Sequence, residues 1–98
     1  MRFRHANKTL KKMDEEPGFR GGFPPALAEA FAKRMHAIRQ ATNENTLRNI
    51  KSFRFERLKG KRQHEYSIRL NDQFRLIFQI EPAAAGNQLV ILAIEDYH

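Results

Sequence analysis

The chain has 98 residues, carries 18 Lys and Arg against 11 Asp and Glu for a net charge of +7, and contains no cysteine. That length supports one domain, residues 1–98, built around a single modest core. The charge points to an anionic partner, nucleic acid first, and the lack of cysteine excludes disulfides and thiolate metal sites.

Met1 to His5 reads as a candidate N-terminal strand. Residues 8–16 contain few apolar side chains (Leu10, Met13) and predict a short, mostly exposed helix. The run Pro17-Gly18-Phe19-Arg20-Gly21-Gly22 is a loop by composition. Pro24 and Pro25 then suit a first helical turn. Leu27, Phe31, Met35 and Ile38 recur at intervals of 4, 4 and 3, which predicts a buried helical face over residues 25–42. A polar connection follows, with Leu47 and Ile50 as anchors. After Lys51 the period changes to two. Phe53 and Phe55 alternate with Arg54 and Glu56, and Tyr66, Ile68 and Leu70 alternate with Glu65, Ser67 and Arg69. Phe74, Leu76, Phe78 and Ile80 continue the pattern, as half-buried strands do. Asn71-Asp72 between two such runs predicts an antiparallel hairpin, and residues 81–87 the next turn. Leu89 to Ile94 is apolar throughout, which fits a strand covered on both faces. The fold class is therefore α+β, with two N-terminal helices packed on a mainly antiparallel sheet of four to five strands.

No apolar run approaches 18 residues, and the N-terminal stretch lacks the apolar core of a signal peptide, so no membrane association and a cytoplasmic location are expected. The four His have no close His or carboxylate spacing, so neither a metal site nor a cofactor is expected. His5 and His36 read as surface positions and His64 as a solvated loop residue.

Residues 48–62 hold seven cations (Arg48, Lys51, Arg54, Arg57, Lys59, Lys61 and Arg62) against one acid, Glu56. If Phe53 and Phe55 face inward, then Arg54, Glu56, Ser67, Arg69 and Arg75 face outward, and parity puts Glu56, Arg69 and Arg75 on one sheet face. RNA scission by transesterification needs a base for the 2′-hydroxyl, a cation for the phosphorane and an acid for the leaving 5′-oxygen. Glu56, Arg75 and His98 match those roles in type. Tyr97 could stack on a base or donate a hydrogen bond. Taken singly, each residue also has a plainer reading: Glu56 as an intrastrand ion pair, Arg75 as a solvated face residue, His98 as a chain end and the phenylalanines as core.

The segments Leu58-Lys59-Gly60-Lys61-Arg62, Tyr66-Ser67-Ile68-Arg69-Leu70-Asn71-Asp72-Gln73-Phe74-Arg75-Leu76-Ile77-Phe78 and Glu95-Asp96-Tyr97-His98 together resemble the HigB-type toxins of the RelE/ParE superfamily. Gly22-Phe23-Pro24-Pro25 is similar to that group as well, and the likeness spans about residues 21–98. The resemblance implies a RelE/ParE-like fold and a toxin of a type II toxin–antitoxin system, a ribosome-dependent endoribonuclease acting on A-site mRNA. It also implies as partners the ribosome and a cognate helix-turn-helix antitoxin, with operator DNA engaged only through the antitoxin complex. HigB-type toxins carry a His two residues before the Leu-Lys-Gly loop, where this chain has Glu56; the YoeB branch looks like this chain there, with a catalytic Glu. The implied catalytic set is Glu56, Arg75, Asp96, Tyr97 and His98, with Lys59 on the phosphate and acid and base interchangeable between Glu56 and His98. Arg54, Arg57, Lys59, Lys61, Arg62 and Arg69 form the implied RNA-binding set. Two alternatives remain at this point: a ParE-like gyrase inhibitor without nuclease chemistry, and a non-catalytic RNA-binding module.

Overall fold

The structure is a computed structural model in which residues 1–97 are described. Along the chain run β1 (Phe3–His5), α1 (Lys8–Glu15), α2 (Pro25–Gln40), α3 (Glu44–Arg48), β2 (Glu56–Arg57), β3 (Glu65–Arg69), β4 (Phe74–Ala83) and β5 (Gly86–Asp96), with 3₁₀ turns at Lys51–Phe53 and Gly60–Arg62. The strands form one sheet in the order β1-β5-β4-β3-β2. β1 runs parallel to β5, and every other pairing is antiparallel. This is the α+β architecture that the change of period predicts.

Local chemistry sets the helix limits. Asn7 caps α1 by accepting from the Leu10 amide at 3.1 Å, which satisfies one otherwise orphaned donor. Gly21 adopts φ +61, and a Cβ there would lie 2.7 Å from Thr9 Cγ2 and 2.9 Å from Met13 Sδ. Only glycine lets this loop lie directly on α1. α2 stops at Gln40, and the Met1 amino group donates to the Ile38 carbonyl at 3.1 Å, a cation placed where the helix dipole favours one.

The four periodic residues of α2 are buried and join Leu10, Met13, Ile68, Leu70, Leu76, Phe78, Leu89 and Ile91 in one apolar cluster. Arg34 ties α2 to β3 by donating to the Arg69 carbonyl at 2.8 Å, its guanidinium 4.5 Å from the Phe53 ring centroid.

Four expectations need correcting. The strand beginning at Phe53 is not formed: Lys51–Phe53 is a 3₁₀ turn, Arg54 adopts φ +45, and pairing begins only at Glu56. Phe53 is still buried, so the alternation reported burial correctly and conformation wrongly. The polar connection contains a short helix, α3, capped by Asn43 and anchored by buried Leu47. The turn after β4 is tighter than residues 81–87, because the ladder runs to Ala83↔Gly86. Pro82 is tolerated because pairing with β3 ends at Gln79, leaving that side of β4 without a ladder. Finally, β5 is covered on both faces only at Leu89 to Ile91; Leu92 to Ile94 are half-buried. A bulge between Ile77 and Phe78, which pair with Ala93 and Ile91, leaves Leu92 as an extra residue. It shifts the phase so that Ile91 and Ile94 both face the core while Ala93 and Glu95 face away.

Candidate active site

The register Glu56↔Ser67 and Arg69↔Arg75 puts these four residues on the face opposite the helices, as parity predicts. Facing away from the core does not mean facing water, however. Arg75 is 4% exposed and Ser67 0%, which corrects the plainer reading of Arg75 as a solvated face residue. The chain around Arg54 and the ring of Tyr97 close over them.

Arg75 is held on three sides. Its Nε donates to Ser67 Oγ at 2.8 Å, and its Nη2 donates to the Arg54 carbonyl and, at 3.4 Å, to the Ser67 carbonyl. Arg54 is the one non-glycine residue with positive φ among the described residues, and the left-handed kink aims its carbonyl at the guanidinium. The Tyr97 ring centroid lies 4.7 Å from the guanidinium carbon, a cation–π contact. The Tyr97 hydroxyl donates to Glu56 Oε2 at 2.6 Å. That bond to the carboxylate raises the Tyr97 phenol above its ordinary pKa; burial and the carboxylate charge add to the rise, and Arg75 opposes it. Tyr97 thus joins the carboxylate to the guanidinium.

A cavity of about 230 Å³ opens here, lined by Arg54, Glu56, Arg69, Asn71, Asp72, Arg75 and Tyr97. Three guanidiniums against two carboxylates suit a phosphate-bearing ligand. Arg69 is steadied by donating to the Asn71 carbonyl at 3.2 Å and to Asp72. The Asn71 side chain accepts from the amides of Gln73 (2.9 Å) and Phe74 (2.7 Å), which fixes the hairpin that forms this wall.

Of the residues singled out by sequence, the structure gathers Glu56, Arg75, Tyr97, Arg54 and Arg69. Asp96 lies beside them, accepting from Gln73 Nε2 at 2.8 Å, and the Tyr97 amide donates to the Gln73 carbonyl at 2.7 Å. Arg57, Lys59, Lys61 and Arg62 do not line the cavity. Lys59 and Lys61 are exposed on the adjoining segment, and Arg57 Nε donates to the Gln63 carbonyl at 2.6 Å. Arg62 is engaged by Glu65 and Glu95, each at 2.7 Å; these acceptors raise its pKa further. His98 lies outside the described residues. Three residues were missed: Ser67 as the support of Arg75, and Asn71 and Asp72 as cavity wall. Ser67 was findable, since a small hydroxyl residue diagonal to an arginine on one sheet face is within its reach.

A second polar cluster corrects the reading of His5 as a surface residue. The side chains of His5 and Asp14 are each 4% exposed, with His5 Nε2 2.9 Å from Asp14 Oδ2. Arg39 grips the same carboxylate at 2.8 and 2.6 Å. His5 follows Phe3 by two residues and so shares its inward face. Burial works to raise the Asp14 pKa, but the hydrogen bonds from Arg39 and His5 prevail and hold it below the ordinary value. Among the described residues no group of three His, Cys, Asp or Glu could hold a metal ion, and no helix is long and apolar enough to cross a membrane.

Comparison with known proteins gives a consistent picture. The family model described as RelE-like toxin of type II toxin–antitoxin system HigB matches residues 2–98. Toxin HigB-1 of Vibrio cholerae serotype O1 is 32% identical over 81 residues, covering 83% of this chain and 85% of the relative. A YoeB/ParE toxin from Agrobacterium tumefaciens superposes with a TM-score of 0.63 over the whole of both chains, at 14% identity. That likeness concerns the fold.

Proposed function

The chain belongs to the HigB-like toxins, RelE-like toxins of type II toxin–antitoxin systems, and from that premise we propose that it is a ribosome-dependent endoribonuclease, cleaving mRNA in the A site and inhibiting translation in the cytoplasm. The observation that carries the reading is the linkage of Glu56 to Arg75 through Tyr97 in one arginine-lined cavity. A carboxylate that can take a proton and a cation that can hold a phosphate are what the chemistry requires.

In the proposed reaction Glu56 removes the proton of the 2′-hydroxyl, and that oxygen attacks the adjacent phosphorus. Tyr97 occupies Oε2 of Glu56, so Oε1 is the oxygen that receives the proton. Arg75, with Lys59 reaching in from the neighbouring segment, stabilises the charge on the phosphorane. The bond to the 5′-oxygen then breaks; His98 protonates that leaving group, and a 2′,3′-cyclic phosphate remains on the upstream fragment. Tyr97 orients Glu56 and offers its ring to a base, while Asp96 helps fix the chain that carries Tyr97 and His98. Arg54, Arg57, Lys61, Arg62 and Arg69 contribute to the backbone track, Arg62 only by exchanging Glu65 and Glu95 for phosphate. Partners are the ribosome and its mRNA, and a cognate antitoxin of helix-turn-helix type through which operator DNA is reached.

The test is cleavage of a defined mRNA on purified translating ribosomes, mapped by primer extension. The expected result is cuts within A-site codons that vanish in Glu56→Gln and in His98→Ala. Intact mRNA despite growth arrest on expression would sink the nuclease and point to a non-cleaving inhibitor.

A further inference from the structure

A guanidinium has five N–H donors: one on Nε and two on each Nη. In Arg75 the Nε–H goes to Ser67 Oγ at 2.8 Å, and the two Nη2 hydrogens go to the carbonyls of Arg54 and Ser67. Tyr97 lies against one flat side of the group. Among the described residues only Nη1 is without an acceptor, and Arg75 lines the cavity. We infer that Ser67 is the positioning residue of the site: its hydroxyl, with the left-handed Arg54 carbonyl, turns Arg75 so that Nη1 alone is presented to one non-bridging phosphate oxygen.

Three observations argue that the seat is specific. Ser67 is fully buried, so its hydroxyl has no water to exchange for the arginine. The Arg54 carbonyl reaches Nη2 only because a non-glycine residue holds φ +45, a conformation that costs free energy and persists where surrounding contacts impose it. And an arginine offering two parallel N–H groups would grip a ground-state phosphate in bidentate fashion. One that offers a single fixed edge can be aimed at an oxygen as its charge grows in the transition state, which lowers the barrier rather than strengthening ground-state binding. Ser67 therefore acts through Arg75 and touches no substrate. The catalytic part of this inference rests on the nuclease reading; the seat itself does not.

Two measurements separate those parts. The first is the Nε–H resonance of Arg75 in the ¹⁵N-labelled full chain. It is expected to be resolved and slow to exchange with water, to collapse in Ser67→Ala, and to persist in Ser67→Thr, which keeps the hydroxyl. The second is cleavage on translating ribosomes by Ser67→Ala, Arg75→Ala and the double variant. Ser67→Ala should reduce the single-turnover rate by up to about 10²-fold, leave ribosome affinity unchanged, and cause no further loss once Arg75 is absent. An unchanged resonance in Ser67→Ala, or the same fold-loss with and without Arg75, overturns the proposal. Wild-type chain that leaves mRNA intact sinks the nuclease reading instead, and the resonance still decides whether Ser67 seats Arg75.

Discussion

Among the described residues, two places join a carboxylate to an arginine and an aromatic or imidazole ring, yet they differ in how much of each carboxylate the fold itself takes up. At the sheet's C-terminal side, Glu56, Tyr97 and Arg75 border a cavity, and Tyr97 is 53% exposed. At the opposite edge strand, His5, Asp14 and Arg39 close on themselves between β1, α1 and α2, with Asp14 taken by three donors. Residue type is alike in the two; supply of acceptors is not. Asp14 has its ion-pairing capacity consumed within the fold, whereas among the described residues Glu56 keeps one oxygen and Arg75 keeps Nη1 for a partner. The closed cluster leaves His5 Nδ1 buried without a partner among the described residues, yet its carboxylate is fully engaged.

The largest effect that could break this contrast is on rate. Glu56→Gln should lower cleavage by about 10²- to 10⁴-fold, the range of a lost general base, while the thermal midpoint stays near that of the wild type. A variant that cleaves normally would remove Glu56 from the base role and leave the cavity a binding site only.

Asp14→Ala should do the reverse. It strips three donors of their shared acceptor, and hydrogen bonds to a charged group are worth about 1.5–3 kcal/mol each way of breaking them. For a chain of this size each kcal/mol moves the thermal midpoint by roughly 4–8 °C. Cleavage per folded molecule should be unchanged. If Asp14→Ala instead abolished cleavage with its midpoint preserved, the closed cluster would have a function and the contrast would fail.

How much of this contrast is legible in the sequence differs between the two places. Alternation gave the face shared by Arg69 and Arg75, because the period of two is a local property of each strand; Glu56 shares it through its pairing with Ser67, although the strand from Phe53 on which its parity was reckoned is a turn. It could not give the burial of Arg75, which depends on a left-handed turn at Arg54 and on Tyr97, 22 positions after Arg75, folding back across the strand. The turn at Lys51–Phe53 kept Phe53 buried, so an apolar pattern read as strand matched a different backbone. The His5 cluster was illegible for another reason: its three members lie on three elements, and nothing in their spacing announces the packing of β1 against α1 and α2. The bulge at Leu92 was hidden because every residue from Leu89 to Ile94 is apolar and any phase would satisfy it.

Acid titration sharpens the comparison further. Asp14 has a folded pKa below its unfolded value of about 3.9. The stability it contributes is therefore complete above the unfolded pKa and is lost as pH falls through the folded one. Urea midpoints measured from about pH 5 downward should show wild type and Asp14→Asn converging below about pH 4. His5, Arg39 and Glu15 are the charged or titratable groups around this carboxylate. A constant gap between the two proteins through that range would mean that Asp14 acts by packing and not by charge.

The smallest effect is the most diagnostic of the open site. The Tyr97 phenol is raised first by its hydrogen bond to Glu56, then by burial and the carboxylate charge. A raised folded pKa means that the bond contributes at neutral pH, fully so below the unfolded value of about 10, and is lost as pH rises through the folded one. Because Tyr97 is half exposed, the stability at stake is small, so the titration itself is the better readout. The chain has two tyrosines; in a Tyr66→Phe background the ultraviolet phenolate signal reports Tyr97 alone. Its midpoint should lie above about 10 and drop toward that value in Glu56→Gln. A midpoint indifferent to Glu56 would mean that the two side chains are not bonded in solution. Tyr97 would then be free of the carboxylate, and among the described residues nothing in the fold would link Glu56, the proposed proton acceptor, to Arg75.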